Sequence, residues 1–278
     1  MFGTILVHIP TELPVRPALN GSISLAVSTG AHLDATAIGY ERTIMPLIAT
    51  GGAPVTSIFE VEHDRALKRA EAAIRVFDRE ARNAGISYAT RAVSAVPSEA
   101  RALLCASARV HDVTIVTQPR SDHDSYDNVM PSEILFRAGG PVLFMPYAFH
   151  SPFSAKRIGI CWDSSRLAAR AVHDAMPLLR KADALTIIMV TGRGTVSPES
   201  SCDHLVTHLA RLGLAAKVTS VLPVRRSKLQ SILSRAMDDI FDLIVMSACS
   251  SSWLHGKLLG RMRRDLLRSM TVPTLLSH

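Results

Sequence analysis

The order of elements in residues 1–148 recurs in residues 155–278, and this duplication restricts the fold more than any other feature of the chain. The apolar run Thr4-Ile5-Leu6-Val7-His8-Ile9 reads as a buried parallel strand. Arg157-Ile158-Gly159-Ile160-Cys161-Trp162 reads the same way. A polar turn and an Ala/Leu-rich helix follow each run, over about 15–30 and 165–180, and then second strands at 33–39 and 184–190. Residues 62–84 carry a strong helical pattern with Glu, Arg and Lys on the polar face. Their counterpart spans about 198–212 and opens at Ser197-Pro198-Glu199, which suit an N-cap and first turn. Gly85 and Gly213 stand where helix C-caps belong. Third strands follow at 86–93 and 214–222, and further helices at 97–109 and 226–238.

The most specific match is His111-Asp112-Val113-Thr114-Ile115-Val116-Thr117 against Phe241-Asp242-Leu243-Ile244-Val245-Met246-Ser247, 130 residues later. Each half then ends in a helix and a strand opened by proline, Pro141-Val142-Leu143-Phe144-Met145 and Pro273-Thr274-Leu275-Leu276. Each half therefore reads β-α-β-α-β-α-β-α-β, the pattern of an α/β fold with a parallel sheet and helices on both faces. The first strands are 153 residues apart and the fourth strands 130, which places an insertion near 41–60. Gly51-Gly52 and Pro54 mark it as loop or broken helix. The joint between the domains, 1–148 and 155–278, falls around Pro152.

Charge separates the halves. Residues 1–150 hold thirteen basic and fifteen acidic side chains (net −2), and residues 151–278 hold eighteen and nine (net +9). A basic surface favours anionic partners. Aromatics are only 5% and do not interleave with the basic residues, so a nucleic-acid stacking platform is not expected. No apolar run reaches a membrane span of about 18 residues. The opening MFGTILVHIP has no basic n-region or cleavage site, and Cys105, Cys161, Cys202 and Cys249 form no C-x-x-C pair. These features fit a cytoplasmic protein with free thiols. There is no G-x-S-x-G elbow and no G-x-x-x-x-G-K-[S/T] loop, so the chain is expected not to be an enzyme.

With its Asp-led fourth strands and proline-opened last strands, the chain resembles a tandem universal stress protein over nearly its whole length. The resemblance implies two doubly wound α/β domains. Each is a five-stranded parallel sheet of order 3-2-1-4-5, and the last strands pair across a pseudo-two-fold interface between the halves. It also admits a homodimer, protein partners and a stress-response or regulatory role without catalysis. Family members that bind ATP carry an Asp after the first strand and G-x-x-G-x(9)-G-[S/T] after the fourth. Such glycines admit close backbone approach, and helix N-termini favour anions.

The second half keeps part of this pattern. Asp163 stands at the Asp position, and Ser247-Ala248-Cys249-Ser250 followed by Gly260-Arg261 stands at the glycine motif. Serine replaces two glycines and Arg261 the hydroxyl residue. The resemblance thus points to Asp163, Val190, Ser247, Ser250, Gly260 and Arg261 for ATP or another anionic ligand. In the first half the Asp position is Pro10, and the loop after Thr117 has no glycine and three acids within 122–127. No nucleotide is expected there. Two other readings remain open: a ligand-free interaction module acting through protein partners, and a slow ATP hydrolase.

Further clusters read as solvated surface. Lys257, Arg261, Arg263, Arg264 and Arg268 crowd the last helix, with the cations toward its C-terminus, and Arg261 is the exception because it replaces the expected hydroxyl residue. Asp122, His123, Asp124 and Asp127 read as a solvated acidic loop with some attraction for a cation. His204 and His208 share one helix face and lack a third ligand for zinc. Trp162 ends a strand at the ligand-facing edge, where it packs or stacks on a base.

Overall fold

The computed structural model describes residues 1–41, 55–120, 123–190, 201–221, 241–248 and 270–278. The first half contains β1 (Thr4–Ile9), α1 (Arg16–Thr29), β2 (His32–Tyr40), α2 (Val55–Ala84) and β3 (Tyr88–Ala95). It continues with α3 (Pro97–Ala108), β4 (Val113–Thr117), a 3-10 turn (Tyr126–Asn128), α4 (Met130–Arg137) and β5 (Val142–Met145). The second half gives β6 (Arg157–Trp162), α5 (Arg166–Leu179), β7 (Ala184–Val190), α6 (Cys202–Arg211), β8 (Ala216–Val221), β9 (Leu243–Ser247) and β10 (Thr274–Ser277).

The ten strands of the described residues form one sheet of order β3-β2-β1-β4-β5-β10-β9-β6-β7-β8. Within each five-strand array the order is 3-2-1-4-5, and every pairing is parallel. The arrays meet where β5 and β10 pair antiparallel, with Leu143 opposite Leu275.

Period-two alternation sorts the strands between two cores. Ile5, Val7, Ile9, Ile115, Leu143, Ile158, Ile160, Trp162 and Leu275 face one core together with α1, α2, α5 and α6. Leu6, Val116, Val142, Phe144, Cys161 and Leu276 face the other, with α3 and α4. Both cores cross the β5–β10 joint without a break.

The Asp that opens each fourth strand explains why that motif recurs. Asp112 Oδ2 accepts from Gly3 N at 2.6 Å and Thr4 N at 2.9 Å. Asp242 Oδ2 accepts from Arg157 N at 2.9 Å, and its Oδ1 pairs with the Arg157 guanidinium at 3.1 Å. In each half a carboxylate therefore fixes the start of the first strand against the fourth. Burial opposes the charged form of Asp112, but the hydrogen bonds from Thr4 and Gly3 outweigh it and hold its carboxyl below the ordinary range.

Several boundaries shift from expectation. Helix α2 begins at Val55, inside the segment read as an insertion loop, and residues 42–54 lie outside the described structure. Its inner face is Ala66, Ala70, Ala73, Phe77 and Ala81, all buried. Small side chains let the helix lie close to β2: a Cβ on Gly39 would stand 1.7 Å from the Ala66 carbonyl oxygen. Gly85 and Gly213 adopt φ of +65° and +77°, as helix C-caps do. The third strands begin two residues later than the sequence pattern suggests, at Tyr88 and Ala216. The N-cap of α6 is Ser201, whose Oγ accepts from His204 N, whereas Ser197-Pro198-Glu199 and the expected helix at 226–238 lie outside the described residues. No described helix is long and apolar enough to cross a membrane.

Candidate functional site

In an open α/β sheet of this order, ligands collect beyond the carboxyl ends of the strands where the winding reverses. That edge lies after β1 and β4 in the first half and after β6 and β9 in the second. The two halves treat it differently.

In the first half the chain's own groups fill the edge. Asp127 is buried, and its Oδ2 accepts from three consecutive backbone N–H groups: Thr11 at 2.9 Å, Glu12 at 2.7 Å and Leu13 at 3.2 Å. Glu12 reaches back, its Oε2 accepting from Ser125 Oγ at 2.7 Å and Tyr126 N at 3.1 Å. The loops after β1 and β4 thus clasp each other. Tyr126 packs on Tyr40 with ring centroids 5.4 Å apart. Beneath them, buried His8 places Nε2 3.6 Å from Asp127 Oδ1 and 3.3 Å from Tyr40 Oη. Burial pushes the His8 imidazole down and the Asp127 carboxyl up. Burial, and after it the charge of Asp127, also pushes the Tyr40 phenol up. This corrects the reading of 122–127 as a solvated acidic loop. Asp124 is exposed, but Asp127 is buried structure. Asp122 lies outside the described residues.

In the second half the same edge carries the residues singled out by sequence. Asp163 follows β6, Val190 ends β7 and Ser247 ends β9, and these strands are neighbours in the order β9-β6-β7. Asp163 is half-buried, and its Oδ1 accepts from Ser165 N at 3.1 Å. Between them Ser164 adopts φ of +63°, the one described non-glycine residue in the left-handed region. Such a residue costs about 1–2 kcal/mol and marks a constrained turn. Ser165 then caps α5, its Oγ accepting from Ala168 N at 3.1 Å. Ser247 is buried beside Ser277 in the β9–β10 register, and Ser277 Oγ is buried without a hydrogen-bond partner among the described residues. Ser250, Gly260 and Arg261, with Lys257, Arg263, Arg264 and Arg268, lie outside the described residues. Trp162, just before Asp163, is 8% exposed and belongs to the core under α5.

The chain superposes on a universal stress protein from Archaeoglobus fulgidus DSM 4304 with a TM-score of 0.72 at 14% identity, covering 98% of this chain and 97% of that one. The fold is that of the universal stress proteins. A protein described as a universal stress protein from Pseudomonas aeruginosa UCBPP-PA14 gives 0.61 at 17% identity, covering 99% of this chain and 93% of its own. A functionally unknown protein from Pseudomonas aeruginosa PAO1 gives 0.60 at 18% identity, covering 99% and 92%. The sequence itself matches no family model and no curated protein. The universal-stress fold is thus carried here by a sequence far from those with which it is shared.

Sequence reasoning missed the Asp127 clasp. Its partners are backbone N–H groups more than a hundred residues away, which no side-chain pattern marks.

Proposed function

We propose that the chain is a non-enzymatic regulatory protein of the universal-stress type, built from two units, 1–148 and 155–278, whose second unit binds a nucleotide or similar phosphate ligand. The observation that carries this reading is the asymmetry of the two strand edges. Asp127 and Glu12 occupy the first, while the second keeps Asp163 at the head of a left-handed turn and two serines at the strand ends. The net charge of +9 in residues 151–278 favours an anion at that second edge. In this reading Asp163 contacts the base, Val190 lines its pocket, and Ser247, Ser250, Gly260 and Arg261 hold the sugar and phosphates. The stress-response role follows from the same family likeness.

Calorimetric titration of ATP into the full chain tests the proposal. One site is expected, weakened at least tenfold by Asp163→Ala and by Arg261→Ala. No heat at millimolar ATP, together with empty density after soaking a crystal, overturns it and leaves the ligand-free interaction module as the reading.

A further inference from the structure

Toward the amino end of the strands in the first half, away from both ligand edges, a cleft of about 190 Å³ opens between β2, β3 and the end of α3. Buried Leu6 of β1 lies at its floor, and Asp34, Thr36, Arg91, Ser107 and His111 line it. Asp34 stands opposite Leu6 in the β1–β2 register and opposite Ala89 in the β2–β3 register, and Thr36 stands opposite Arg91. Asp34, Thr36 and Arg91 therefore share the sheet face of Leu6.

The two charges on this face do not neutralise each other. Asp34 and Arg91 are diagonal neighbours, which sets their Cα atoms about 8 Å apart. Arg91 is exposed and makes no hydrogen bond or ion pair among the described residues. Asp34 is held from behind. His111 Nε2 stands 2.8 Å from its Oδ2, and His111 Nδ1 stands 2.7 Å from the Ser107 carbonyl oxygen. His32 Nε2 approaches Oδ1 at 3.5 Å, which leaves that oxygen room for a stronger donor. The Asp34 side chain is 37% exposed, so a ligand can reach it. Thr36 is only 5% exposed, yet its hydroxyl has no hydrogen-bond partner among the described residues.

We propose that this cleft binds a small free α-amino acid as its zwitterion, with the ammonium on Asp34 Oδ1 and the carboxylate on the Arg91 guanidinium. An anion alone would face the Asp34 carboxylate, and a cation alone would face Arg91. An α-amino acid carries both charges on one carbon and complements both walls. The planar guanidinium matches a carboxylate with two parallel N–H···O bonds. Thr36, in the row of Arg91, donates its hydroxyl to the same carboxylate. Leu6 and Ala89 leave an apolar space for a short side chain. Both charges are partly solvated, so the expected Kd is weak, on the order of 1 mM.

The test uses the full chain at low ionic strength, with glycine, L-alanine and L-serine as probes in isothermal titration. At least one is expected to bind saturably, one per chain. Its amide, which lacks the anion, and its N-acetyl form, which lacks the cation, should each bind at least tenfold more weakly. Arg91→Gln and Asp34→Asn should each weaken the free amino acid at least tenfold, and Thr36→Val by a smaller factor. Arg91→Gln alters only an exposed side chain and keeps the wild-type circular dichroism, so it carries the test if Asp34→Asn loosens His111. No saturable heat from any of the three probes up to about 50 mM overturns the proposal. So does binding that Arg91→Gln leaves unchanged. An N-acetyl form that binds as tightly as the free amino acid makes the cleft an anion site at Arg91 alone and overturns it too. The readout is independent of ATP, so it stands whether or not the nucleotide reading holds.

Discussion

Replacing Asp127 by alanine tests whether the first half's strand edge is held shut from within. The carboxylate receives three backbone N–H groups through one oxygen. Removing it orphans the buried donor of Leu13 and the part-buried donors of Thr11 and Glu12. A buried unsatisfied group costs about 1–3 kcal/mol, and a part-buried donor that water can reach costs less, about 0.5–1.5 kcal/mol. The sum is about 2–6 kcal/mol. In a chain of this size, where unfolding entropy near Tm is about 0.6 kcal/mol/K, that lowers Tm by about 3–10 °C. Asp127→Asn keeps an acceptor and the side-chain shape, so it should cost only about 1–2 kcal/mol. Thermal and urea unfolding give the energies, and hydrogen exchange at Thr11, Glu12 and Leu13 locates them. Faster exchange confined to those amides in Asp127→Ala is the expected signature. An alanine variant within 0.5 kcal/mol of wild type, with those amides unchanged, refutes the clasp as the reason the loops are ordered.

Other outcomes follow from the same geometry. Gly39→Ala drives a Cβ into the Ala66 carbonyl, where backbone rather than a flexible side chain must yield; a loss of about 3 kcal/mol or more is expected by denaturant unfolding. His8 is held below its ordinary value by burial. The unfolded chain therefore takes up a proton near 6.5 that the folded chain refuses until lower pH, so the stability from neutral His8 is present above 6.5 and lost as pH falls through the folded value. The upward shift of Asp127 acts in the opposite sense as its own carboxyl protonates. His8→Leu should flatten the stability profile below pH 6.5, and an unchanged slope contradicts the assignment. Asp242→Ala removes a hydrogen bond and an ion pair at the foot of β6, both only partly shielded from solvent. A loss of about 1 kcal/mol is expected by urea unfolding, with faster exchange of the Arg157 amide.

The element order was legible in the sequence because buried parallel strands and amphipathic helices leave periodic marks. The meeting of the last strands left no such mark; it was expected only from the family resemblance, and the structure shows it to be antiparallel. Boundaries were less legible. Gly85 and Gly213 announced helix ends, but the pattern did not show that each third strand would start two residues later. The start of α2 was hidden because, in the sequence, Val55 directly follows a Gly-Gly-Ala-Pro stretch that reads as loop. At the candidate site, topology brings Asp163, Val190 and Ser247 to one edge, since all three lie at the carboxyl ends of neighbouring strands. Asp127 could not be read, because nothing in an acidic stretch says which carboxylate will be taken up by amides from another loop.

The antiparallel pairing of β5 with β10 has a consequence for association. A single five-strand unit ends in a free fifth strand, which any similar unit could join. Here each such strand is already consumed by the other half of the same molecule. The chain is therefore closed to subunit exchange through that edge, and its composition is set by the ribosome rather than by equilibrium. The sheet's remaining edges are β3 and β8, nine strand spacings or about 43 Å apart before twist is counted. Among the described elements, those margins and the helical faces are the surfaces open to an assembly of several copies.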